Sequence, residues 1–122
     1  MASRPDPISV VVQFNHALNA RNIDAMMQLM TPNCVFENTS PPPDGTRYTG
    51  QVAVRAFWEE FFSASSYARI EIEDIFALGG RCVMLWCYDW VSHSGQTGHI
   101  RGVDVYRVQD GLIAEKLSYI KG

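Results

Sequence analysis

Long apolar runs are missing from this sequence. None approaches the roughly 18 consecutive residues that a transmembrane helix needs, so no membrane association is expected. Met1 to Pro7 is polar and proline-rich, without the apolar stretch of a secretory leader. A basic surplus is missing too: Lys and Arg total 10 against 13 Asp and Glu, a formal charge of −3. Nucleic-acid binders carry a basic stripe or excess, so no nucleic-acid partner is expected. Cysteine is sparse: Cys34, Cys82 and Cys87 form neither an even set nor a C-x-x-C pair. That favours buried free thiols in a reducing, cytoplasmic setting over a disulfide frame. His16, His93 and His99 lack metal-ligand spacing, and there is no glycine-rich phosphate or dinucleotide fingerprint. No metal and no cofactor is therefore expected. Asn38-Thr39-Ser40 matches the glycosylation sequon, which has no meaning without secretion.

What is present suits one globular domain spanning 1–122, with 1–6 as a flexible tail. The chain has 122 residues, 47% apolar and 19% charged, outside the disordered class. A chain of this length buries about two thirds of its unfolded surface and needs no staples.

Asp6 can cap and Pro7 can open a helix over 7–20, in which Val10, Val11, Phe14, Ala17 and Leu18 share a face. Asn22 can cap a second helix through Met30, with Ile23, Met26, Met27 and Met30 on one side and Pro32 as its stop. Cys34 to Asn38 reads as a strand, and 39–49, holding Pro41-Pro42-Pro43-Asp44-Gly45, as a loop. After Gly50, Val54, Phe57, Trp58 and Phe61 repeat at helical spacing, leaving Arg55, Glu59 and Glu60 to solvent. Beyond Ser63 the period falls to two: Ile70 to Leu78, Cys82 to Ser92, His99 to Val108 and Leu112 to Ile120 read as strands. Ser94 to Gly98 and Asp110-Gly111 are the turns between the later ones. Segregated helices and strands predict an α+β fold: a curved, mostly antiparallel sheet with three helices on its concave side, enclosing a cone where a ligand would sit.

Ala17-Leu18-Asn19-Ala20, Ile23-Asp24, Val35-Phe36-Glu37-Asn38, Gly50, Val103-Asp104-Val105-Tyr106 and Asp110-Gly111-Leu112-Ile113 follow one another in an informative order. Together they resemble the SnoaL-like branch of the nuclear-transport-factor-2-like superfamily. Steroid delta-isomerase, limonene-epoxide hydrolase and SnoaL-type polyketide cyclases are its relatives. The resemblance spans essentially the whole chain and implies the cystatin-like cone. It implies less about the reaction, because one cone hosts many chemistries. The steroid isomerases' carboxylate base matches Asn38, which cannot abstract a proton, and their tyrosine matches Phe14, which has no hydroxyl. Their second oxyanion donor, a carboxylic acid kept protonated by an apolar site, matches Asp104. The hydrolases' Arg and two Asp fall on Leu85, Cys87 and Ser118, so that charged triad is absent. The cyclases' acid/base aspartate again points to Asp104.

Alternation supplies the facing. With Asp104 inward, Ile100, Gly102 and Tyr106 are inward as well. The resemblance adds Ala114, Lys116, Ser118 and Ile120, and across the other hairpin Leu85, Cys87 and Asp89. Asp104 and Lys116 are then neighbours on the pocket wall. Phe14, Trp58, Phe61 and Leu85 would favour the neutral acid, Lys116 the carboxylate. Asp89 falls roughly 13–16 Å along the sheet from Asp104, too far for a shared proton. By the same parity Trp86, Tyr88 and Trp90 face outward, where three alternating aromatics call for a second subunit as cover.

The leading expectation is a cofactor-independent isomerase, cyclase or dehydratase acting on a small hydrophobic carbonyl compound. Asp104 would be the acid/base, Asn38 an orienting group and Lys116 a tuner of Asp104. The pocket lining would be Phe14, Trp58, Phe61, Leu85, Cys87, Asp89, Tyr106, Ser118 and Ile120. The alternatives are a structural Asp104–Lys116 pair in a non-catalytic ligand-binding or dimerisation module, and a trafficking module.

Overall fold

A computed structural model describes residues 6–122. Most of the tail expected over 1–6 therefore lies outside the described residues. Asp6 itself is placed: its carboxylate accepts from the Ile8 N–H at 3.0 Å and caps the first helix.

Three helices and six strands follow in the order α1 (Pro7–Asn19), α2 (Ile23–Gln28), β1 (Met30–Glu37), β2 (Arg47–Thr49), α3 (Gln51–Ser63), β3 (Ser65–Leu78), β4 (Arg81–Ser92), β5 (Thr97–Gln109) and β6 (Leu112–Ile120). The strands make one open sheet in the order β2-β1-β6-β5-β4-β3. All neighbours are antiparallel except β1 and β6. Asp110 and Gly111, with φ of 53° and 79°, make the tight β5–β6 turn, in which two successive positive φ angles match the twist of the strands. The expected curved α+β architecture is present.

Boundaries move in several places, with β1 beginning at Met30, β3 at Ser65 and β5 at Thr97, each earlier than expected. Helix α2 ends at Gln28, and Pro32 lies inside β1 instead of stopping a helix. The ladder to β6 breaks between Met30 and Val35, and a strand residue inside such a break has no pairing N–H to lose. The loop expected over 39–49 contributes β2, whose Tyr48 pairs with Phe36.

The core lies between the helices and one face of the sheet. Val10, Val11 and Phe14 of α1 meet Met26 of α2, Val54 and Trp58 of α3, Cys34 and Phe36 of β1, Cys82 and Met84 of β4, Tyr106 of β5 and Ile113 of β6. This set fills the closed end of the curve. Toward its other end the space between α3 and the sheet stays open as a cavity.

Candidate active site

The cavity has a volume of about 440 Å³, within the range of small-molecule sites. Its apolar wall is Phe57, Trp58 and Phe61 of α3, Phe36 and Tyr48 of β1 and β2, and Ile70, Trp86, Tyr88 and Ile100 of β3, β4 and β5. The helical i, i+1, i+4 spacing of Phe57, Trp58 and Phe61 puts all three rings over the sheet. Trp58 stacks on Phe36 with centroids 5.2 Å apart, and Phe57 meets Phe36 edge-on at 4.9 Å. Asn38, Thr39 and Ser40 form one rim, and Glu60, expected in open solvent, stands at the mouth.

The polar part of the wall comes from β5 and β6, where Asp104 pairs with Ser118 and Tyr106 with Lys116. Asp104 and Lys116 are therefore diagonal neighbours, not directly opposed. Lys116 Nζ lies 3.2 Å from Asp104 Oδ2 and donates to Ser118 Oγ at 3.0 Å. The Tyr106 hydroxyl donates to the same Asp104 Oδ2 at 3.2 Å. Both ionic groups are nearly sealed from solvent, at 3% exposure for Asp104 and 4% for Lys116. Such burial is tolerated only with paired charge and further polar or π contacts. Here the ammonium sits 4.5 Å from the Phe36 ring centre, 5.5 Å from that of Trp58 and 5.9 Å from that of Tyr106, an aromatic cage of the kind that holds cations. Burial, and then the neighbouring Asp104 charge, push the Tyr106 phenol well above its ordinary range, so it remains a neutral donor.

Asp104 Oδ1 differs from its twin. It is buried and has no hydrogen-bond partner among the described residues, although its residue lines the cavity. Two wall donors share that condition, the indole Nε1 groups of Trp58 and Trp86. One carboxylate oxygen and two indole N–H groups, all on residues that line one apolar cavity, are thus buried without a partner, and each unpaired buried polar atom in a folded protein calls for an explanation.

The structure brings Asp104, Lys116, Ser118, Asn38, Trp58 and Phe61 to this cavity. Asn38 is committed to the rim: its Oδ1 accepts from Thr46 N at 2.8 Å and Ser40 N at 3.3 Å, leaving Nδ2 to meet a ligand. Tyr106 lies beneath the floor, fully buried, and touches the site through Asp104. Phe14 is no wall residue either: it is sealed behind the site, edge-on to Trp58 and Tyr106 at 6.5 and 6.4 Å.

Four positions are corrected outright. Leu85, Cys87 and Asp89 pair with Val103, Arg101 and His99, all on the outer face, because residues facing each other across a ladder share a side. Ile120 pairs with Gly102 and so keeps the inward side, but it ends β6 at 46% exposure, outside the cavity and beside Leu85 and Tyr119 in a separate cleft. The reverse holds for Trp86, Tyr88 and Trp90, expected on the outer face. Trp86 pairs with Gly102, Tyr88 with Ile100 and Trp90 with Gly98, on the side of Asp104, and Trp86 and Tyr88 line the cavity. A second subunit is not needed to cover them, and that argument for a dimer face lapses.

The profile of the SnoaL-like domain matches residues 11–116. The chain belongs to the SnoaL-like family. An NTF2-like protein of unknown function from Mesorhizobium loti is 31% identical, with all of both chains covered and a TM-score of 0.78. A candidate polyketide cyclase from Xanthomonas campestris is 22% identical over 94% of this chain and 90% of its own, at 0.80. A Mycobacterium tuberculosis protein in complex with estradiol-17beta-hemisuccinate is 23% identical over 94% of both chains, at 0.82. No curated protein matches. For this SnoaL-like chain the last two likenesses establish the fold alone. No helix among the described residues is long and apolar enough to cross a membrane.

Proposed function

We propose that this SnoaL-like protein is an enzyme that moves a proton on a small hydrophobic carbonyl compound, with Asp104 as the acid/base. The observation that carries the reading is Asp104 Oδ1: a buried carboxylate oxygen without a partner, at the wall of an aromatic cavity. Tyr106 and Lys116 both attach to Oδ2 and fix the carboxylate plane, so proton transfer falls to Oδ1. Oδ1 takes a proton from the carbon next to the carbonyl. The C–H electron pair becomes an enolate, and the same proton is returned to another atom of the substrate. The developing oxyanion is served by donors on the wall: the Lys116 ammonium, Ser118, the rim amide of Asn38 and the bare indole N–H groups. Only donors placed before the reaction act this way without reorganisation cost. The steroid ester bound by the similar mycobacterial protein supports a ligand of polycyclic size.

A second reading has its own observation. The Asp104–Lys116 pair is closed by Tyr106 and Ser118, as a purely structural pair in a ligand carrier would be. Hydrogen–deuterium exchange separates the two. The protein is incubated in D₂O with a panel of polycyclic ketones, and label at the α-carbon is read by mass spectrometry. The enzyme reading expects catalysed exchange that Asp104→Asn abolishes while ligand still binds. Exchange at an equal rate in the variant overturns the role of Asp104. Binding without any exchange in the unmodified protein leaves the carrier.

A further inference from the structure

A second constellation lies on the other side of the sheet, outside the cavity. Asp89 of β4 and His99 of β5 are directly paired in register, and Cys87 precedes Asp89 by two residues on the same face. Asp89 Oδ1 lies 2.6 Å from His99 Nδ1. Cys87 Sγ is 3.5 Å from Asp89 Oδ2 and 3.7 Å from His99 Nδ1. Among the described residues these three form the one group of His, Cys, Asp or Glu side chains whose ligand atoms converge, all within 4.8 Å of one another. Nothing in the sequence spacing announces it, because the pairing of β4 with β5 brings His99 beside residues ten and twelve positions earlier.

We propose that Cys87, Asp89 and His99 bind a single divalent ion of the zinc class through thiolate sulfur, carboxylate oxygen and ring nitrogen. The distances fit. With the usual zinc–ligand lengths, a tetrahedral site has S···N and S···O edges of about 3.6 Å and an N···O edge of about 3.3 Å. The two sulfur edges already stand at 3.5 and 3.7 Å. Asp89 meets the sulfur through Oδ2 and the imidazole through Oδ1, so its carboxylate must turn to offer the ion one oxygen, and both Asp89 and His99 are half exposed and free to turn. The charge fits as well: a thiolate and a carboxylate balance a divalent cation. Arg101, the register partner of Cys87, is already gripped by Glu73 at 2.8 and 2.9 Å. Glu71 stands across from Cys87 on β3 and leaves a carboxylate or a water for the fourth position. Binding releases the thiol proton to solvent as the S–metal bond forms.

A nucleophilic cysteine is the competing use of these three residues. In this group the Cys87 sulfur sits beside the imidazole near both ring nitrogens instead of at the end of a relay.

The test uses the full chain with any purification tag removed. Cobalt(II) is titrated and the thiolate-to-cobalt charge-transfer band is followed in the near ultraviolet, with zinc affinity measured in parallel by calorimetry. Cys34 and Cys82 are 0% exposed, so a thiolate band reports Cys87. One equivalent is expected to bind. Cys87→Ser should abolish the band, and Cys87→Ser and His99→Gln should each weaken zinc by more than the roughly 100-fold that outer partners of a metal site are worth. Circular dichroism checks that each variant is folded, and Asp89→Asn replaces either one that is not. Absence of the band in the unmodified protein, or zinc affinity unchanged in folded variants, overturns the site.

Discussion

Replacing Lys116 by Met is the sharpest test of how this site is held together. The substitution keeps an unbranched apolar stem, one atom shorter, beside the Phe36 and Trp58 rings, but removes the ammonium that lies 4.5 and 5.5 Å from their centres. Asp104, 3% exposed, then keeps one direct donor, the Tyr106 hydroxyl at 3.2 Å. Removing one partner of a buried pair strands the other charge, at a cost of about 3–5 kcal/mol. That is a large part of the roughly 5–15 kcal/mol that holds a small domain folded. With a urea m-value of about 1–3 kcal/mol/M, the unfolding midpoint falls by about 1 M or more. Asp104→Asn placed in the same chain removes the stranded charge, so the double variant should recover much of the loss. The assay is urea unfolding of all four members of the cycle, followed by tryptophan fluorescence. A Lys116→Met protein within about 1 kcal/mol of the parent would refute the reasoning, as would a double variant no more stable than the single one.

Three further outcomes are expected. A Cβ on Gly102 would stand 2.6 and 2.7 Å from Trp86 ring carbons and against the Tyr119 carbonyl, so Gly102→Ala should cost about 1–3 kcal/mol and shift the tryptophan emission; unchanged emission and stability would contradict the packing. Trp86→Ala should weaken binding of an apolar ligand at least tenfold while Leu85→Ala leaves it unchanged, and equal effects in a fluorescence titration would contradict the facing assigned to β4. Burial pushes the Tyr88 phenol up to about 12 from an ordinary value near 10. The folded state then holds a proton that the unfolded chain gives up first. Tyr88 therefore contributes stability that is complete below about pH 10 and lost as pH rises toward 12, and Tyr88→Phe should flatten the alkaline decline of the urea midpoint.

The fold was legible because its signals were local. Asp6-Pro7 and Asn22 start helices by their own chemistry, and the change of period after Ser63 marks the sheet. Asp104 and Lys116 were legible as neighbours because the two-residue turn at Asp110-Gly111 fixes how β5 meets β6. The aromatic contributions of Phe36 and Tyr48 were not. They reach the cavity through the parallel pairing of β1 with β6 and the three-residue β2, and neither contact leaves a trace in spacing.

The inverted face of β4 has a more specific cause. Its two sides read Cys82, Met84, Trp86, Tyr88, Trp90 and Val83, Leu85, Cys87, Asp89. Both sets are largely apolar, so alternation alone cannot phase the strand. The phase was nevertheless written elsewhere. A five-residue hairpin connection, read at 94–98 in the sequence and found at 92–96 between the paired Val91 and Thr97, sets even-numbered residues against even-numbered ones, as any odd loop does. Asp104 must then share its side with Met84, Trp86 and Tyr88, as the register shows. Glycine adds the second clue. Gly98 and Gly102 lie directly across from Trp90 and Trp86, and both indoles occupy the space a Cβ would need. A large ring facing a bare backbone position at the same four-residue interval on two strands is a packing pattern, and it puts the tryptophans on the inner face beside Asp104. What the outer face keeps is the complementary set, Cys87, Asp89 and His99, whose convergence follows from the same register and would have been invisible under the other phase.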